Sequence, residues 1–166
     1  MSAHSCSCRN GNRQLSKTDK MEVLSYLCSR WRRPSAPRPL GQEDLAAADL
    51  PAIRAKGIRI GISTHSHEEL AIALAVEPDY VALGPIYETK LKVMKWAPQG
   101  LDRIEDWKRR IGAMPLIAIG GITPERADGV VAAGADSVAV ITDFFTHADP
   151  DARVRQWLAW ADHCKD

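Results

Sequence analysis

"MPLIAIGGITPERADGVVAAGADSVAVIT", residues 114–142, decides the fold. An apolar, β-branched run ends in a glycine pair, a Thr-Pro start follows, and a second apolar run begins after Asp136. Thr123 is placed as an N-cap, Pro124 as the first helical residue and Gly134 as the helix stop. The order is strand, helix, strand, which is the repeating unit of a parallel α/β architecture.

The same unit recurs upstream. "GIRIGIST" predicts a strand over 58–63, and Ser66 with Glu69 three residues later forms a capping box that opens a helix through residue 75. "YVALG" is the next strand, followed by a long loop and a helix over 101–111. "EDLAAADLPAIRAKG" reads as one helix ended by Gly57, and Asp149-Pro150 repeats the cap before a closing helix. The strands are nearly continuous apolar runs, so both their faces are expected to be buried.

Two folds fit this order: a doubly wound sheet and a (β/α)8 barrel. No strand is followed by G-x-G-x-x-G, which removes the usual dinucleotide argument. Barrels commonly hold phosphate on the loops after their last two strands, and here those loops carry Gly120-Gly121 and Ile141-Thr142. The fold class is therefore α/β, of the (β/α)8 TIM-barrel type. Only four complete strands and the stub "RPLG" are legible, whereas a barrel closes with eight, so the sequence reads as the C-terminal half, about four to five βα units. An open half exposes strand edges, and self-association that covers them is expected.

Residues 1–38 differ in character. They are rich in Ser, Arg, Cys and Pro, end in "RRPSAPRP", and offer one short helical candidate over 20–31. They read as an unmatched leader, disordered or mis-assigned, ahead of the domain at 39–166. Across the chain, 45% of residues are hydrophobic and 26% charged, the composition of a soluble globular protein. With 22 basic residues against 21 acidic ones, no global field recruits nucleic acid or an anionic membrane. No apolar run approaches the roughly 18 residues of a membrane span, and the start lacks the apolar core of a secretory signal, so a cytoplasmic location is expected. The four cysteines read as reduced thiols; His4, Cys6 and Cys8 lack the second cluster that a zinc site would need.

In such an architecture the chemistry lies beyond the C-terminal strand ends. Those ends carry Glu43 and Asp44; Ser63, Thr64 and His65; the loop 84–92; Gly120 and Gly121; and Ile141 and Thr142. Hydroxyls, lysines, glycines and paired carboxylates suit a phosphorylated ligand with Mg²⁺, which prefers oxygen ligands.

"LGQEDL", "GISTHS", "ALGPIYETKLK", "APQGL" and "AIGGIT" fall in the order and spacing of the thiamine-phosphate synthases, and the chain resembles that family from about residue 39 to 160. The related thiazole tautomerases share the barrel. The resemblance implies condensation of a pyrimidine (HMP) diphosphate with a thiazole phosphate, Mg²⁺-dependent, releasing pyrophosphate. It implies that Asp44 is a metal ligand, that Ser63 contacts the diphosphate, and that Thr89 and Lys92 belong to the phosphate-binding loop, with Ser63 and Lys92 acting on the leaving group. Gly120, Gly121, Ile141 and Thr142 match the thiazole-phosphate site, and His65 matches the acid/base histidine of the tautomerases. Alternative readings are an N-cap for Asp44 and tight strand-to-helix packing for Gly120-Gly121. Glu88 and Leu91 depart from the family's usual Pro and Thr. The family's Gln-x-Arg-x-Lys strand and Asn-Asp pair are absent from residues 1–38, so impaired catalysis is expected of this chain. A non-catalytic phosphate-binding remnant and a tautomerase-like enzyme are the alternatives.

Overall fold

The structure, a computed structural model, describes residues 39–89 and 96–164. The helical candidate at 20–31 and the loop lysines Lys90, Lys92 and Lys95 lie outside the described residues. Four parallel strands form one sheet in sequential order: β1 (Gly61–Thr64), β2 (Tyr80–Leu83), β3 (Leu116–Ile119) and β4 (Ser137–Ala139). The register pairs Ser63 with Ala82, Ala82 with Ile117 and Ala118 with Val138. Leu40 adds a single parallel bridge to Ile62, so the "RPLG" stub does extend the sheet beyond β1.

Seven helices connect the described strands or flank them: α1 (Gln42–Ala47), α2 (Leu50–Ala55), α3 (His67–Ala75), α4 (Gly100–Ile111), α5 (Pro124–Ala132), α6 (Thr142–Phe145) and α7 (Pro150–His163). The segment read as one helix over 43–57 is two. Asp49 accepts from the Ala52 N–H at 3.0 Å and Pro51 sits in the first turn, which starts a new helix and leaves Ala48 extended. The capping box at Ser66 is half made. The Ser66 hydroxyl accepts from the Glu69 N–H, but the Glu69 carboxylate reaches one residue further back and accepts from the His65 N–H at 2.7 Å.

The expectation that every strand is buried on both faces holds only for β2. In β3, Leu116 and Ala118 are buried while Ile117 and Ile119 are half-buried, and β4 repeats the alternation. Val81, Leu83, Leu116, Ala118 and Val138 join Ile104, Trp107, Ala127 and Trp157 in the main core. That places the helices over one face of the sheet. The opposite face of β1 to β4 contributes Ser63, Ala82, Ile119 and Ala139 to a cavity.

At the N-terminal strand ends a short motif recurs. Asp79 and Asp136 immediately precede β2 and β4, and each exchanges two hydrogen bonds with the preceding strand region. The Asp79 N–H donates to Ile60 O and its carboxylate accepts from the Ile60 N–H at 2.6 Å. Asp136 does the same with Leu116, at 2.9 Å for the carboxylate contact, and also pairs with Lys108 at 2.6 Å. These contacts tie the end of the sheet remote from the cavity.

Candidate functional site

Each loop leaving a strand turns beside the same cavity, of about 590 Å³. Ser63 and His65 come from the end of β1, Thr89 from the loop after β2, Gly120 and Gly121 from β3, and Ile141 and Thr142 from β4. Every described residue predicted to bind substrate is thus on its wall. Thr64, between Ser63 and His65, faces the other way. Its hydroxyl donates to Ala82 O at 3.0 Å and accepts from the Trp107 indole N–H at 2.8 Å, fully buried among the helices.

His65 is held in a defined orientation. Its Nδ1 lies 2.8 Å from Glu69 Oε2, and its ring stacks on Trp96 with centroids 5.7 Å apart and planes 6° from parallel. A carboxylate on Nδ1 favours the tautomer that carries its proton there and leaves Nε2 as the unprotonated nitrogen.

The glycine pair is dictated by packing. Gly120 and Gly121 have φ of 97° and 65°, in the left-handed region, and a Cβ on Gly121 would lie 2.5 Å from Glu88 O. On Gly120 it would meet Pro85 Cα at 2.8 Å. The space a side chain would need is filled by the 85–88 loop, whose Ile86 and Tyr87 N–H groups donate to Ile119 O and Gly120 O. Close approach of two loops therefore accounts for these residues without a ligand.

Asp44 does not line the cavity. It is exposed in the first turn of α1, which is tied to the site through Gln42, whose Nε2 donates to Ser63 O at 2.8 Å. Gly41 rather than Asp44 occupies the N-cap position, so the capping alternative fails. Among the described residues no group of three or more His, Cys, Asp or Glu side chains is placed to hold a metal ion. A lone carboxylate fits only a Mg²⁺ whose other ligands are phosphate oxygens and water.

One cavity residue the sequence reading passed over is Arg126, in the first turn of α5. Its guanidinium lies over the Tyr87 ring, 4.7 Å from the centroid, and Nη1 donates to Gly121 O at 3.0 Å. The signal for it was positional, since a first-turn residue after a strand-end glycine pair faces the strand ends. Asp143 and Thr123 also line the cavity.

A family model described as thiamine monophosphate synthase matches residues 39–144. The chain belongs to the thiamine monophosphate synthase family. It is 64% identical over 120 residues to a thiamine-phosphate synthase of Rhizobium etli, covering 72% of this chain and 59% of that protein. To the thiamine-phosphate synthase of Klebsiella pneumoniae it is 47% identical over 122 residues, 74% of this chain and 58% of the relative. The chain thus spans less than two thirds of the length of the curated relatives it matches. Among solved structures it is similar to the thiamine phosphate pyrophosphorylase from Pyrococcus furiosus, with TM-score 0.63 and 26% identity over 77% of this chain and 60% of that one. A 3-hexulose-6-phosphate synthase shares the fold at 16% identity and TM-score 0.54, covering 74% of this chain and 60% of that one. For this member of the thiamine monophosphate synthase family, the fold class read from the strand order stands. No helix among the described residues is long and apolar enough to cross a membrane.

Proposed function

We propose that residues 39–166 form the C-terminal part of a thiamine-phosphate synthase site, in which a pyrimidine diphosphate and a thiazole phosphate are condensed to thiamine phosphate and pyrophosphate. The observation that carries the reading is the convergence of Ser63, Thr89, Gly120, Gly121, Ile141 and Thr142 on one cavity at the C-terminal ends of parallel strands. In the reaction the bond between the pyrimidine methylene carbon and the diphosphate oxygen breaks, and the thiazole nitrogen bonds that carbon. Hydroxyls of Ser63 and Thr89 and the ammonium of Lys92 would stabilise the departing pyrophosphate, the last as a compact charge. Amides of the two strand-end turns and the Thr142 hydroxyl would hold the thiazole phosphate, which fixes the nucleophile and converts the bond formation into an effectively intramolecular step. Asp44 would supply one Mg²⁺ ligand, with phosphate oxygens and water completing the shell; the ion contributes charge neutralisation of the leaving group. Self-association across the open sheet edges is part of the same proposal.

The test is pyrophosphate release by the 166-residue chain with both substrates, with and without Mg²⁺, alongside binding of thiazole phosphate by calorimetry and mass by light scattering. Saturable binding of thiazole phosphate, with slow Mg²⁺-dependent product, supports the reading. A folded chain that neither binds nor turns over overturns it, and a monomeric mass overturns the self-association.

A second reading has its own observation. The Glu69 contact and the Trp96 stack hold the His65 imidazole as an acid/base group is held, which favours a thiazole tautomerase-like proton transfer at the same cavity. Unchanged tautomerisation by His65→Ala would remove it.

A further inference from the structure

Two carboxylates stand beside the turns read above as the phosphate end. Glu125 is in the first turn of α5, four residues beyond Gly121, and Asp143 follows Thr142 on the cavity wall. Negative charge there opposes an incoming phosphate, and more strongly where protein rather than water lies between them. Both carboxylates are engaged by one residue of α7. Arg153 Nε and Nη2 donate to Asp143 Oδ2 and Oδ1 at 2.7 and 3.0 Å. Its Nη1 and Nη2 donate to Glu125 Oε1 and Oε2 at 2.7 and 3.0 Å. Gln156 Oε1 accepts from Nη1 at 2.7 Å, and the Trp157 indole N–H donates to Asp143 Oδ2 at 2.8 Å.

This is an unusual arginine. It is 8% exposed in a class of residue almost never buried without partners, and its planar fork serves two carboxylates from two different turns at once. A lysine ammonium lacks that geometry. The Glu125 carboxyl is held at about 2, below its ordinary range, chiefly by the Arg153 hydrogen bond and then by that of Thr123. One side chain therefore sets both the spacing of the two turns and the charge that they present.

We propose that Arg153 is a positioning residue for the anion end of the cavity: it clamps the turn after β3 to the turn after β4 and its single positive charge offsets part of the negative charge of Glu125 and Asp143, so that a phosphate meets amides and hydroxyls against a weaker opposing field. The proposal rests on the reading of those turns as the phosphate end. Arg153 is not on the cavity wall, so it acts through the two carboxylates.

Titration of inorganic phosphate into the full 166-residue chain, followed by the amide resonances of Gly120, Gly121 and Thr142, separates the two claims. If the wild-type resonances do not move, the phosphate reading itself fails, and this proposal with it. Given wild-type binding, Arg153→Met is expected to weaken it about tenfold, the scale of an uncompensated like charge at a partly screened site. Adding Asp143→Asn to Arg153→Met should recover most of the loss, because it removes the repelling charge, whereas a purely structural defect would persist or worsen. Unchanged affinity in Arg153→Met overturns the proposal, as does a folded double variant with no recovery. Should Arg153→Met fail to fold, Glu125→Gln decides: the side chain is exposed, and the variant is expected to bind phosphate about threefold more tightly. Equal or weaker binding by Glu125→Gln overturns the proposal.

Discussion

Thr64 sits between two cavity residues in sequence and on the opposite side of the sheet in space. Strand alternation makes this legible: Ser63 and His65 face one way, so Thr64 must face the helices. The sequence could not reveal its partner, because Trp107 is 43 residues away and an indole N–H buried in a core takes whatever acceptor tertiary packing brings. Thr64→Val keeps the shape and removes the acceptor. It should cost about 1–3 kcal/mol, the penalty of an unsatisfied buried donor, read as a lower urea midpoint at unchanged m. Glu69 is a similar case, because the Ser-x-x-Glu pattern pointed to a box on Ser66 while the carboxylate bridges to His65. In Glu69→Gln the helix cap should survive, and the ¹⁵N shifts of the His65 ring should lose their bias toward the Nδ1-protonated tautomer. An unaltered tautomer ratio would mean that the carboxylate does not orient the ring.

At the scale of elements, sequence punctuation located the helices well and the short pieces poorly. Asp149-Pro150 opens α7 as expected, with the Asp149 side chain accepting from the Ala152 N–H at 2.9 Å. Asp149→Ala should lower stability by about 1 kcal/mol in the same denaturant assay. A related signal, Asp49 with Pro51 two residues on rather than adjacent, was available but was hidden inside an alanine-rich stretch that reads as a single helix. Helix α6, four residues long, is too short to have a periodicity to detect. The glycine pair was visible as an anion signature, yet its geometry is explained by the approach of the 85–88 loop. For that reason a Gly121 substitution cannot test phosphate binding: it would strain the backbone and collide with Glu88 before any ligand is involved.

For the whole molecule, the parallel order, the placement of strand ends and the cavity positions of Ser63, His65, Gly120, Gly121, Ile141 and Thr142 followed from pattern, whereas Arg126 and the ion pairs that join distant helices did not. Two of these set the acid behaviour. The Asp106 carboxyl is lowered from 3.8 to about 2 by hydrogen bonds from His67 and then Arg110, and that of Glu125 from 4.5 to about 2 by Arg153 and then Thr123. Folded values below unfolded ones mean that the contribution is complete above the unfolded values and is lost as pH falls through the folded ones. The urea midpoint should therefore decline as pH falls from about 4.5 toward about 2, with a shallower decline in Asp106→Asn. A midpoint independent of pH across that window would discount both pairs. The contact between Gly120-Gly121 and residues 85–88 has one more consequence, for recombination: the two loops are a single heritable module. A chimaera that takes the turn after β3 from a relative must take that relative's loop after β2 as well, because a foreign loop set slightly closer would leave no room even for hydrogen-only side chains.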